Sequence, residues 1–178
     1  MDKNKIIFIN CGEFDTKLLE EIAEEVMHEF NYQVTIINNA FNLTSFYNIE
    51  RRQYEANYLL KEIEGLNYPN AIKKIGLFRV DLYIPILTYI FGQARFKGDA
   101  GLVSIYRLKN EPYGIENDEV LAQNRFKKVI IHELGHTFGL VHCLVPNCVM
   151  RPSTYVEDID QKSNQLCVNC KSILKKEY

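Results

Sequence analysis

The chain has 178 residues, of which 47% are hydrophobic and 25% charged, with a formal net charge of −2. That length supports one domain with a substantial core and leaves little room for a second. The near-neutral balance gives no electrostatic reason to expect nucleic acid or an anionic membrane as a partner, and no apolar run approaches the length of a transmembrane helix.

Lys5 to Cys11 is a short isoleucine-rich run, closed by Gly12, and reads as a first strand rather than the apolar core of a signal peptide. Neither a signal peptide nor a latency segment is expected, which places the protein in the cytoplasm. In that reducing compartment its five cysteines are expected as metal ligands rather than disulfides. Asp15 or Thr16 can cap a helix to about Asn31, with Leu18, Leu19, Ile22, Val26 and Phe30 on one side. Its lone His28 reads as a solvated residue. Tyr32 to Ile37, β-branched and aromatic, predicts a second strand, followed by a polar turn at Asn38 to Asn42. Arg51 to Glu64 has helical periodicity through Tyr54, Tyr58, Leu59 and Ile63, and Gly65 ends it.

Lys74 to Val80 predicts a third strand. Tyr89 to Ala94 and Leu102 to Leu108 predict two more, separated by the turn-rich Lys97-Gly98-Asp99-Ala100-Gly101. After a loop from Lys109 to Asn117, a long helix starts near Asp118 and runs to about Phe138. This order, β-α-β-α-β, then a hairpin-like pair, then a helix, implies a mixed sheet backed by helices. Beyond Gly139, Pro146, Pro152 and four cysteines mark a small loop-rich part that a metal would have to staple.

The chemistry concentrates in His132 to Cys148, HELGHTFGLVHCLVPNC, which holds three of the four histidines. His132 and His136 are one helical turn apart, so both rings project from one face and can grip one ion. Phe126, Ile130 and Leu134 form a separate stripe directed to the core. Glu133 is placed to take a proton from a water whose pKa zinc lowers to about 7. HExxH alone is a weak signal, since an amphipathic helix can carry two hydrogen-bonded histidines by chance. Here it continues to Gly139, where the chain can leave the helix in a left-handed conformation, and to His142. Three imidazoles leave a fourth zinc position open, as catalysis requires. The extended pattern is the metzincin signature. Metzincins also carry a methionine in a tight turn beneath the metal, and Met150, before Pro152, fits that Met-turn. Some place a metal-reaching tyrosine two residues after the methionine; Pro152 stands there, and Tyr155 is not assigned the role.

Cys143-x4-Cys148 and Cys167-x2-Cys170 can close a tetrahedral structural zinc site. The bland alternative is two buried thiols with a redox C-x-x-C. A zinc-ribbon nucleic-acid module is disfavoured, because Arg151, Lys162, Lys171, Lys175 and Lys176 are balanced by Glu157, Asp158, Asp160 and Glu177. Cys11 is expected to be buried and inert, although an odd cysteine could contact metal.

Together the two sites resemble the archaemetzincins of the metzincin clan. The matching positions are His132, Glu133, His136, Gly139, His142, Cys143, Cys148, Met150, Cys167 and Cys170, with the interval of 16 residues between Met150 and Cys167 one short of the usual spacing. Asp81-Leu82-Tyr83-Ile84-Pro85 and Phe91-Gly92-x-Ala94 also resemble that family. The resemblance implies an α/β (α+β) metzincin-like zincin fold: a twisted mixed five-stranded sheet, backing and active-site helices, and a zinc-stapled C-terminal subdomain. It further implies that Tyr89 to Ala94 is an edge strand beside the cleft, where an extended peptide could pair.

The expectation is therefore a monomeric zinc metallopeptidase forming a single catalytic domain over 1–178, with subdomains 1–139 and 140–178, two Zn2+ per chain, and peptide or protein substrates. His132, His136 and His142 are the expected catalytic-zinc ligands, Glu133 the general base, and Cys143, Cys148, Cys167 and Cys170 the structural-zinc ligands. The competing reading is a non-catalytic peptide-binding or zinc-stabilised interaction module on the same scaffold.

Overall fold

Ile6, Ile7, Phe8 and Ile9 are all fully buried, which requires a strand covered on both faces, the usual setting of a parallel sheet. They belong to β1 (Lys5–Asn10) in a computed structural model that describes residues 4–177. Ile6 and Phe8 pack with α1 (Thr16–Phe30) and with the long helix described below, while Ile7 and Ile9 pack with α2 (Ala56–Gly65) on the opposite face.

Parallel neighbours of β1 are β2 (Gln33–Asn38) on one side and β5 (Ala71–Phe78) on the other. Between β2 and β5 the chain forms β3 (Tyr47–Asn48) and β4 (Gln53–Glu55), and β6 (Leu82–Ile84) and β7 (Leu87–Ile90) follow β5. The main sheet is completed by β8 (Gly92–Ala94) and β9 (Ala100–Ser104), in the order β2-β1-β5-β9-β8. The β8/β9 pair is antiparallel, with Gly92 opposite Val103. This mixed five-stranded sheet agrees with the expected fold, and β8 is the expected edge strand.

Three details differ from the sequence reading. The helix expected from Arg51 begins only at Ala56, because Gln53 to Glu55 form β4 and pair with β6. Tyr54 and Tyr58 share helical spacing by coincidence; Tyr58 is largely exposed. The strand expected over Tyr89 to Ala94 divides at Phe91. Its first part joins a second sheet, β3-β4-β6-β7, that the sequence does not announce. The strand expected to reach Leu108 stops at Ser104, where the chain tightens into a 3-10 turn over Tyr106–Leu108.

The long helix α3 (Glu119–Thr137) starts where Asp118 accepts a hydrogen bond from the Leu121 amide at 2.9 Å. Its Phe126, Ile130 and Leu134 are fully buried against the sheet. The C-terminal part contains two helices not foreseen, α4 (Val156–Asp160) and α5 (Val168–Glu177). Arg125 of α3 grips Asp160 through two hydrogen bonds, 2.8 and 2.6 Å. The buried Glu29 carboxylate of α1 accepts from the Leu166 amide at 3.0 Å and from Lys171 Nζ at 3.1 Å. These ties fix the C-terminal part against α1 and α3.

Candidate active site and metal centres

The last two turns of α3 present His132 and His136 toward a cleft of about 560 Å³. The opposite wall is made by Tyr89 and Ile90 of β7, Phe91, and Gly92 of β8, and the floor by Pro152 to Tyr155. The helix ends at Thr137, and Gly139 takes φ 86°, a left-handed value that an L side chain rarely adopts. That reversal carries His142 back to the cleft.

The two helical imidazoles are oriented from behind. Nδ1 of His132 donates to the Val149 carbonyl at 2.9 Å, and Nδ1 of His136 donates to the Leu140 carbonyl at 2.8 Å. With the protons held there, both Nε2 lone pairs face forward, 3.1 Å apart. One ligand atom from each of the three rings lies within 4.8 Å of the others. Burial pulls all three histidines below their usual pKa, His132 most strongly, with Lys162 adding repulsion. The rings are therefore neutral, the state a metal ion binds. Two nitrogens at about 2.0–2.1 Å from a tetrahedral zinc are about 3.3 Å apart, so the donor set fits the ion.

Glu133 points into the same cleft from a buried position. Burial pushes its carboxyl up to about 8, opposed by the positive charge of Lys162. A side chain on residue 92 would occupy its place: an added Cβ there would stand 2.8 Å from Glu133 Cγ and 2.8 Å from the Leu102 carbonyl oxygen. Gly92→Ala is expected to displace the carboxylate and reduce kcat/KM about tenfold or more; a metal analysis should show unchanged zinc, and wild-type kinetics would refute the packing argument.

Met150 is fully buried against α3 at Gly135, where any Cβ would collide with its thioether. The second cluster lies immediately beyond. Sγ of Cys143 is 3.7 Å from Sγ of Cys167, and Sγ of Cys148 is 3.7 Å from Sγ of Cys170. All four sulfurs lie within 4.8 Å of one another, and none forms a disulfide. Four thiolates at about 2.3 Å from one zinc are about 3.8 Å apart, so this set also fits. The Cys143 amide donates to the Met150 carbonyl at 3.0 Å, joining the two clusters.

Cys11 belongs to neither cluster and is half-buried rather than fully buried as expected. Its Sγ donates to the Ile9 carbonyl at 3.4 Å, and burial pushes the thiol up to about 12, as an inert residue requires. His28 is exposed, as expected.

The profile of Peptidase family M54 matches residues 1–176. The chain belongs to this family. As a member of family M54 it is a zinc metallopeptidase of metzincin type, and its relatives agree along most of their length. An archaemetzincin of Pyrococcus abyssi is 40% identical over 178 residues, covering 96% of this chain and 94% of that protein. The crystal structure of archaemetzincin from Methanopyrus kandleri superposes with a TM-score of 0.85 at 32% identity, covering 98% of this chain and 95% of the other. That of a zinc-dependent peptidase from Methanocorpusculum labreanum gives 0.83 at 26%, covering 95% and 99%.

Three contributors to this M54 cleft are not evident from sequence reasoning. Gly92 enters there only through a resemblance, Gly135 not at all, and Lys162 only as one charge in a balanced tail. A further support is Asp81, whose carboxylate holds Arg107 at 2.8 Å; the Arg107 guanidinium lies 4.8 Å from the ring of Tyr89 on the cleft wall.

Proposed function

We propose that this peptidase cleaves peptide bonds in the cleft between β8 and α3, with His132, His136 and His142 holding a catalytic zinc and Glu133 acting as general base. The observation that carries the reading is the convergence of three neutral imidazoles beside one buried carboxylate. Zinc held there supplies a Lewis acid that makes water acidic near neutral pH and polarises a carbonyl. Glu133 takes a proton from the attacking water at its carboxylate oxygen and returns it to the leaving amine. Gly139 turns His142 into place, and Met150 of the Met-turn packs under the ligand residues. The free edge of β8 offers main-chain groups to an extended peptide.

Cys143, Cys148, Cys167 and Cys170 hold a second, structural zinc in this reading, supported by four reduced thiols at tetrahedral spacing. Such a site suits a reducing compartment, hence a cytoplasmic setting. The chain acts as one catalytic domain with its subdomain boundary between 139 and 140, and as a monomer without nucleic-acid or membrane partners. Among the described residues no helix is long and apolar enough to cross a membrane. Elemental analysis of the purified protein is expected to find two zinc ions per chain, and a value near one would remove one of the two sites. Peptide cleavage that zinc removal by a chelator abolishes, and zinc addition restores, tests the catalytic assignment.

A further inference from the structure

Among the described residues, the cleft carries one charged group that the chemistry above does not use. Lys162, in the loop between α4 and α5, lines the cleft together with Glu133 and all three histidines. Its side chain is buried, and Nζ donates to the Arg151 carbonyl at 2.6 Å. An ammonium has three donors, so this contact leaves others free. Two other buried cations have anionic partners: Arg125 is paired with Asp160, and Lys74 with Asp99 at 3.0 Å. No carboxylate of the described residues lies within 4.0 Å of Lys162 Nζ.

A clip to the Arg151 carbonyl needs only a neutral donor. A full charge here is expensive by comparison. Burial lowers the Lys162 ammonium to about 8, with Glu133 holding it up, and its charge in turn depresses every histidine of the site. A cation beside a dication site is repelled unless an anion sits near both. Glu133, when ionised, supplies one negative charge. The same cleft also contains Ser153, whose Oγ is buried with no hydrogen-bond partner. A spare ammonium and a spare hydroxyl next to an apolar wall of Val129 and Ile159 form a receptor for a carboxylate.

We propose that Lys162, assisted by Ser153, is the anion-binding residue of the cleft, so that the enzyme selects peptides with a carboxylate, from an acidic side chain or a free C-terminus, next to the bond it cuts. This rests on the peptidase reading of the same cleft. The carboxylate pairs with Nζ and accepts from Ser153 Oγ, fixing the register of the peptide along β8.

The test uses the zinc-loaded protein and matched peptides. One series exchanges Glu for Gln at each position, and the other exchanges a C-terminal acid for its amide. Both kcat/KM and, by calorimetry with short product peptides, Kd are measured. The carboxylate member of one series is expected to be preferred about tenfold or more, and the series that shows it identifies the source of the carboxylate. Lys162→Met should reduce that ratio to about twofold or less, and Lys162→Arg should recover most of it. Because the readout is a ratio within each protein, a general loss of activity cancels. If Lys162→Met does not fold, Lys162→Gln keeps a donor for the Arg151 carbonyl and serves in its place. Equal use of both members by the wild type, or a ratio that survives loss of the charge, overturns the proposal. Cleavage without discrimination defeats this inference alone. Discrimination in Kd that Lys162→Met removes, with no peptide cut, defeats the peptidase reading and leaves the carboxylate site standing.

Discussion

Glu133→Gln is expected to lower kcat by about 10³-fold while leaving both zinc ions bound and KM little changed. The substitution keeps the length and shape of the side chain in the notch opposite Gly92, so it removes proton-transfer capacity without opening a cavity. The three imidazoles are oriented by the Val149 and Leu140 carbonyls and by the Gly139 turn, none of which involves Glu133. Metal content should therefore not move. Thermal stability should hold or rise in the metal-free protein, because a carboxyl pushed up to about 8 by burial is replaced by a neutral amide. Glu133→Asp makes a graded control, because retracting the carboxylate by one methylene should cost about 10²-fold. Activity within tenfold of wild type in the Gln variant, with zinc intact, would sink the base assignment and move the search for a proton acceptor elsewhere in the cleft.

The clusters that bear on this chemistry are legible in the sequence because their geometry is local. His132 and His136 are set by one helical turn, His142 by the reversal at Gly139, and each cysteine pair by a short loop. The first helix and the long helix are legible for a related reason: a cap residue and a 3.6-residue stripe carry the signal over many residues. The small second sheet is not. Its strands run two to four residues, too few for a period to register, and they are stabilised by pairing across long separations. Gln53, for example, donates through Nε2 to the Thr88 carbonyl at 2.9 Å. The same limit hides Gly92 and Lys162. Each matters because the fold brings it to Glu133, and nothing in its own neighbourhood in sequence marks it. Residues 51–55 show the opposite error, a helical spacing of tyrosines that tertiary pairing overrides.

Cys143→Ser is expected to remove the second zinc, lower Tm by roughly 10 °C or more, and weaken zinc at the histidines by about tenfold or more. The first two effects follow from the donor set. A serine hydroxyl is a poor zinc ligand, and the polar ties of α5 and its loop to α1 run through Glu25 and Glu29. The third effect follows from how the clusters are joined. Cys143 is bonded directly to His142, and its amide holds the Met150 carbonyl at 3.0 Å. The carbonyl of Val149, between Cys148 and Met150, accepts a hydrogen bond from His132 Nδ1 at 2.9 Å. Releasing the sulfur cluster thus loosens the third imidazole, the methionine beneath the site and the carbonyl that fixes the first imidazole. Zinc titration against a competing chelator separates the possibilities. Two ions still bound would refute the four-cysteine site. One ion lost, with the histidine site at wild-type affinity, would show that the sites are independent and that the turn around Met150 holds its shape without the metal behind it. Loss of affinity at both sites would mean that the structural zinc belongs to the catalytic machinery by positioning it. Peptide hydrolysis should then fall in proportion to zinc occupancy of the histidines and recover at high zinc concentration.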